Sequence, residues 1–146
     1  MISFDTNILI YASDRKAGSR HNMARDAVNL AKSRGTALTE QSLIEFVNVA
    51  TRKMQIPFAE VVLYVREFLT NFRLILPQST MIEDVFNLMS HYNLSVWDAK
   101  MLAVCADYGC THLLSEDLQD GMTYGTVTVV NPFNSANAPL IGQLLS

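Results

Sequence analysis

Cysteine and histidine are scarce in this chain, and neither is spaced for zinc or for nucleophilic catalysis. Cys105 and Cys110 are the only cysteines among 146 residues. They fall in no metal-type spacing and are expected to be reduced thiols in a cytoplasmic protein. His21, His91 and His112 are scattered singly and read as surface or packing residues. No Ser–His or Cys–His arrangement offers itself as a nucleophile with its base. No stretch approaches about 20 apolar residues without a charge, which excludes a membrane-spanning helix. The opening "MISFDTNILIYASDRK" has no basic lead and an acid at position 5, so no signal peptide is expected there. Repeats, low-complexity tracts and linkers are also missing. The length suits one domain, taken as 1–146, and a 17% charged fraction against 49% hydrophobic fits a compact chain, not a disordered one.

Bases are fewer than acids, 11 against 14, and the net charge of −3 speaks at first against a nucleic-acid partner. The distribution says more. Arg15, Lys16, Arg20, Arg25, Lys32 and Arg34 crowd into one segment opposed only by Asp26. From residue 83 onward come Glu83, Asp84, Asp98, Asp107, Glu116, Asp117 and Asp120, with Lys100 the one base. A basic segment can meet phosphates while an acidic site gathers cations. The alternative is a solvated basic helix face.

The order of elements predicts a three-layer α/β/α sandwich around a central parallel sheet. "MISF" is a short strand, and "TNILIYASD" opens a helix or turn. "SRHNMARDAVNLAKSRG" is a helix with Met23, Ala27, Leu30 and Ala31 at helical spacing and Gly35 as its stop. "TAL" is a strand, and "EQSLIEFVNVATRKM" is a helix buried through Leu43, Ile44, Val47 and Ala50. Pro57 starts a further helix, "PFAEVVLYVREFLTNF". "RLILP" is a strand, "STMIEDVFNLMSHY" and "SVWDAKMLAVCADYG" are helices, and "THLLS" and "TVTVV" are strands. Alternating strands and helices favour a parallel sheet, and near-continuous apolar strands fit burial on both faces.

Three positions lift certain acids above the surface average. Asp5 follows the first strand directly, and Asp117 follows "THLLS" by two residues. In a parallel sheet both lie along the carboxyl edge, where ligands bind. Asp98 is the third residue of a helix that Ser95 can cap, a complete structural explanation. Yet it shares a stripe with Leu102 and Cys105, the apolar side of the helix, where a carboxylate is costly unless paired or bound to metal. Glu45 has Gln41, Asn48 and Val49 one turn away and Arg52 two turns on, so in isolation it reads as a solvated Glu. Several carboxylates brought together repel unless a cation sits among them, and oxygen-only ligation suits Mg²⁺ or Mn²⁺. Phosphodiester hydrolysis is the chemistry such a centre supports.

"FDTNILIYA", "SLIEFVNV", "LSVWDAKMLAVCADYGCTHLLSEDLQDG" and "VTVVNPF", in this order and at these spacings, resemble a PIN domain. The likeness runs over almost the whole chain and is nearest to the bacterial toxins of the VapC type. It implies a Mg²⁺- or Mn²⁺-dependent endoribonuclease with an acidic site at Asp5, Glu45, Asp98 and Asp117. By the resemblance Asp5 and Asp98 are the core metal ligands, Asp117 completes the cluster or holds a second metal, and Glu45 orients the attacking water. Asn7 and Ser115 fall on supporting polar positions. The choice of Asp117 over Glu116 and Asp120 rests on this likeness alone, leaving Glu116 a solvated neighbour and Asp120–Gly121 turn chemistry. Lys100 departs from the expected apolar stretch and is a candidate to contact phosphate or pair with a site acid.

The resemblance further implies an RNA substrate, a small antitoxin partner covering the acidic groove, a homodimer and a cytoplasmic location. The apolar excess of "PFAEVVLYVREFLTNF" suits such a partner surface or an ordinary buried helix. Two other functions stay open. An aspartyl-nucleophile phosphatase would want an acid two residues after Asp5, where Asn7 stands. A non-catalytic RNA- or partner-binding module would differ by failing to bind metal.

Overall fold

The computed structural model describes residues 1–146 and shows a six-stranded sheet between two helical layers. In chain order the elements are β1 (Ile2–Phe4), α1 (Thr6–Ser13), α2 (Ser19–Ala31), β2 (Ala37–Thr39), α3 (Glu40–Arg52), α4 (Phe58–Asn71) and β3 (Arg73–Ile75). They continue with α5 (Ile82–Tyr92), α6 (Val96–Asp107), β4 (His112–Leu114), β5 (Thr123–Tyr124), β6 (Val127–Val130) and α7 (Ala138–Leu144). The strands lie in the order β3-β2-β1-β4-β6-β5. Neighbours are parallel except at β5, which runs antiparallel to β6. The sheet is therefore mixed, not purely parallel. Two residues are too few to show a strand's alternation, and Gly125, at φ 62°, makes the tight reversal into β6.

Side chains from alternate strand positions enter two cores, which is why the strands read as unbroken apolar runs. Phe4, Leu38, Leu114 and Val130 join Phe46, Phe68 and Val28 under α1 to α4 and α7. Ala37, Leu113, Val127 and Val129 join Val85, Met101 and Leu102 under α5 and α6. The buried stripe of α3 is Leu43, Phe46 and Ala50, and Ile44, expected inside, is 63% exposed. It lies about 100° round the helix from Leu43, beyond the edge of that stripe. In α2 the small residues Ala24, Ala27, Val28 and Ala31 face the core, and Met23 and Leu30 point outward. Only Val61 and Phe68 of α4 are buried, and Phe58, Leu63 and Leu69 are exposed, so this is no ordinary buried helix. No helix is long and apolar enough to cross a membrane.

The strand order turns back on itself between β1 and β4, where chain connections leave in opposite directions. The carboxyl ends of adjacent strands splay their loops apart at such a point and leave a crevice. Asp5 and Ser115 sit there, one residue beyond β1 and β4 respectively.

Candidate active site

Four carboxylates reach this crevice, each carried by a different segment. Asp5 caps the N-terminus of α1, and its Oδ1 accepts a hydrogen bond from the Thr6 amide at 2.7 Å. Its Oδ2 accepts from Ser115 Oγ at 2.6 Å, and its own amide donates to the Leu114 carbonyl. Asp5 is only 8% exposed. Burial pushes its carboxyl up to about 6, the bonds from Ser115 and Thr6 act downward, and the charges of Asp117 and Asp98 push it further up. Withdrawal from water and the company of like charges both favour the protonated form of such an acid.

Ser115 is fully buried and couples two acids, because its Oγ also accepts from the Asp117 amide at 3.2 Å. Asp98 stands on the first turn of α6, where its amide donates to Ser95 Oγ at 3.2 Å. That is half of the expected capping box. The carboxylate does not reach back to Ser95 and accepts no hydrogen bond from the protein, so it remains available to the crevice. Glu45 Oε2 accepts from Thr6 Oγ1 at 2.9 Å, and its Oε1 accepts from Gln41 Nε2 at 3.0 Å. The expectation of a solvated Glu45 near Arg52 is thereby corrected. The polar face of α3 turns toward α1, and Glu45 forms no ion pair with Arg52.

Asp5, Glu45, Asp98 and Asp117 all line one cavity of about 390 Å³. Asn7 lines it too, and both polar atoms of its side-chain amide are buried without a partner in the protein. Lys53 is the one basic side chain in the wall. No three Asp, Glu, His or Cys side chains stand close enough to hold a metal ion between them. An oxygen-only, over-acidic lining with an unsatisfied amide fits a hydrated Mg²⁺ or Mn²⁺, which keeps several waters and binds through one or two carboxylates.

The neighbours of Asp117 are engaged in contacts within the fold. Glu116 is no solvated bystander: it accepts from Tyr11 Oη at 2.6 Å and pairs with Arg20 at 3.3 Å. Its bond to Tyr11, together with burial, raises the phenol's pKa. Arg20 lies over the Phe133 ring, which meets Tyr11 edge to face, so "NPF" and Glu116 build one corner of the fold. Asp120 receives the Asn131 amide at 2.9 Å and the side-chain amides of Asn134 and Asn137. Burial alone would raise its carboxyl, but these bonds and the Gly121 amide hold it below the usual range.

The basic segment divides. Arg20, Arg25 and Lys32 pair with Glu116, Asp26 and Glu67. Arg15 and Lys16 form no ion pair and, with Lys53, Asp14 and Glu60, line a cavity of about 520 Å³ that meets the acidic one at Lys53. Lys100 forms no ion pair. Thr6, Tyr11, Gln41, Lys53 and Trp97 also line the acidic cavity, and none was singled out from sequence. Gln41 alone carried a usable signal, its i, i+4 spacing to Glu45.

The PIN domain family matches residues 2–119. No curated protein matches the chain in sequence. Among solved structures, a toxin–antitoxin complex from Klebsiella pneumoniae superposes with a TM-score of 0.67 at 24% identity, covering 91% of this chain and 98% of that one. VapC20 of Mycobacterium tuberculosis, a toxin that cleaves the sarcin-ricin loop, gives 0.66 at 17% identity, covering 80% and 90%. VapBC2 of Rickettsia felis, bound to a promoter DNA fragment, gives 0.66 at 16% identity, covering 90% and 98%. At these identities the likeness speaks for the fold.

Proposed function

This chain belongs to the PIN domain family, and on that premise we propose that it is a Mg²⁺- or Mn²⁺-dependent endoribonuclease, the toxin of a toxin–antitoxin pair. The observation that carries the reading is the meeting of Asp5, Glu45, Asp98 and Asp117 around one cavity balanced by a single lysine. Asp5, Asp98 and Asp117 would surround the cation, one or two of them as direct ligands and the rest through its waters, with Asn7 beside them. A divalent ion bound there would neutralise charge on the phosphoryl group and make water a better nucleophile. The protein's own part is positioning. Ser115 holds the Asp5 carboxylate and the backbone of Asp117, and Glu45, braced by Thr6 and Gln41, orients the attacking water and can take up its proton.

The Arg15–Lys16–Lys53 cavity suits the RNA backbone on one side of the scissile phosphate, where cations unsatisfied by the protein can neutralise phosphates. A small antitoxin protein and a second copy of the chain are the proposed partners. The solved toxin–antitoxin complexes of the same fold and the exposed Phe58, Leu63 and Leu69 of α4 support that. A cytoplasmic location goes with the proposed RNA substrate. Incubation of total RNA with the protein tests the activity. Defined fragments that appear with Mg²⁺ or Mn²⁺ and vanish with a chelator support it; RNA left intact with either metal overturns it.

A further inference from the structure

A second cavity of about 610 Å³ adjoins the acidic one, and the two share Thr6, Gln41, Glu45, Val49 and Trp97 in their walls. We propose that this second cavity is a nucleobase subsite, in which the base of a nucleotide beside the scissile phosphate of single-stranded RNA stacks on Trp97. The inference rests on the ribonuclease reading and extends it from the reacting phosphate to the bases.

Trp97 is the first support. Its side chain is 61% exposed, although an indole has much to gain from burial. It stands on the first turn of α6, one residue before Asp98, on backbone that is tied down. Gln41 Nε2 donates to the Trp97 carbonyl at 3.1 Å and joins α6 to α3. An exposed aromatic side chain on an anchored backbone beside a phosphodiester site is the arrangement on which single-stranded bases stack.

Charge decides which part of a nucleotide enters. Glu40 and Glu45 line the second cavity, with Lys100 the only base in its wall. Carboxylates repel a phosphate and tolerate a neutral ring. The opposite flank carries Arg15, Lys16 and Lys53 against Asp14 and Glu60, an excess of bases where the second cavity has an excess of acids, and suits the backbone. The two flanks sort a strand into phosphates on one side and a base on the other.

Hydrogen bonding completes the fit. Gln41 Oε1 is buried and finds no partner in the protein, and the Asn48 amide is exposed in the same lining. An exocyclic amino group of a base can donate to Gln41, while Asn48 can read either edge polarity. Ile44, 63% exposed, adds apolar surface for the ring. Stacking is tolerant of base identity, so the selectivity this subsite adds comes from the two amides.

Trp97 is the only tryptophan of the chain, so its own fluorescence reports on the subsite. The Asp117→Asn protein, metal-free, is titrated with a short single-stranded oligoribonucleotide while fluorescence and the anisotropy of labelled RNA are followed together. We expect quenching that saturates with the binding curve, and none with a duplex RNA. Trp97→Ala should weaken RNA binding about tenfold or more, with Trp97→Phe close to wild type. In the otherwise native protein Trp97→Ala should raise KM more than it lowers kcat. RNA that binds without quenching, or that Trp97→Ala binds and cleaves as well as wild type does, overturns the subsite and leaves the ribonuclease reading standing. Fluorescence that changes with protein concentration and not with RNA assigns Trp97 to a contact between copies and also overturns it. Wild-type protein that neither binds nor cleaves RNA overturns both readings.

Discussion

Ser115 Oγ donates to Asp5 Oδ2 at 2.6 Å across 110 residues of sequence, and the same oxygen accepts the Asp117 amide. One buried hydroxyl thus sets the spacing of two acids that leave neighbouring strands. Ser115→Ala removes the donor and leaves Asp5 buried with one partner fewer. We expect a loss of about 1–3 kcal/mol in denaturant unfolding, the cost of stranding a buried hydrogen-bonding group. Divalent-metal affinity, measured by calorimetry, should fall in the same variant. Unchanged stability and unchanged affinity would show that the bond positions nothing.

Asp5 gives a pH test whose sign is opposite to that of an ordinary salt-bridged acid. Its folded value of about 6 lies above the usual 3.8, so the fold prefers the protonated form. Its stabilising contribution is whole below the unfolded value and is lost as pH rises through the folded one. The shift corresponds to about 3 kcal/mol. Asp5→Asn keeps an N-cap side chain for α1 and removes the titration. Without metal it should be more stable than wild type by up to this amount at pH 8, with the gap closing toward pH 4. Added Mg²⁺ should narrow the gap at pH 8 by stabilising wild type alone. A gap independent of pH would contradict the assignment.

Asp120 tests the division of labour within the acidic run. Its bonds to Asn131, Asn134 and Asn137 hold the segment after β6 against the loop after β4. Asp120→Ala should cost about 2 kcal/mol, the scale of hydrogen bonds to a charged group. It should also speed hydrogen exchange over residues 131–146. RNA cleavage below the melting transition should persist. Loss of cleavage in a folded Asp120→Ala protein would move Asp120 into the site.

The flanking cations make a prediction about salt. Arg15 and Lys16 form no ion pair, so their charge is free for phosphates. In Arg15→Ala/Lys16→Ala, the slope of log binding constant against log salt should flatten by about 0.7 for each phosphate that is no longer neutralised. Cleavage at saturating RNA should be little changed. A slope equal to wild type would send the RNA backbone elsewhere.

How far the sequence could be read differs from residue to residue, for physical reasons. Asp5 and Asp117 were legible as neighbours because a parallel sheet puts strand ends on one edge, and that rule needs only the order of elements. Glu45 was not. Its role depends on Thr6 and on the angle at which α3 meets α1, which no periodicity within α3 records. Asp98 could be read from sequence as cap and as inward-facing acid at once, and it is only half a cap. Glu116 looked solvated because its partners, Tyr11 and Arg20, are about a hundred residues distant. β5 escaped because a two-residue strand has no pattern to detect. Ile44 reads as a buried residue of its helix, and only the packing shows that it stands out in solvent.

On the reading proposed above, Asp5, Glu45, Asp98 and Asp117 form one metal-dependent phosphodiesterase site, and Glu116 does not belong to it. The most direct measurement compares RNA cleavage by Asp5→Asn, Asp98→Asn and Glu116→Gln with wild type, at saturating Mg²⁺ or Mn²⁺. Circular dichroism establishes that each variant is folded. Cleavage should fall by at least about a hundredfold in the two Asp variants, the scale of removing one preorganised catalytic group, and stay near wild type in Glu116→Gln. Wild-type cleavage by folded Asp5→Asn or Asp98→Asn would contradict it.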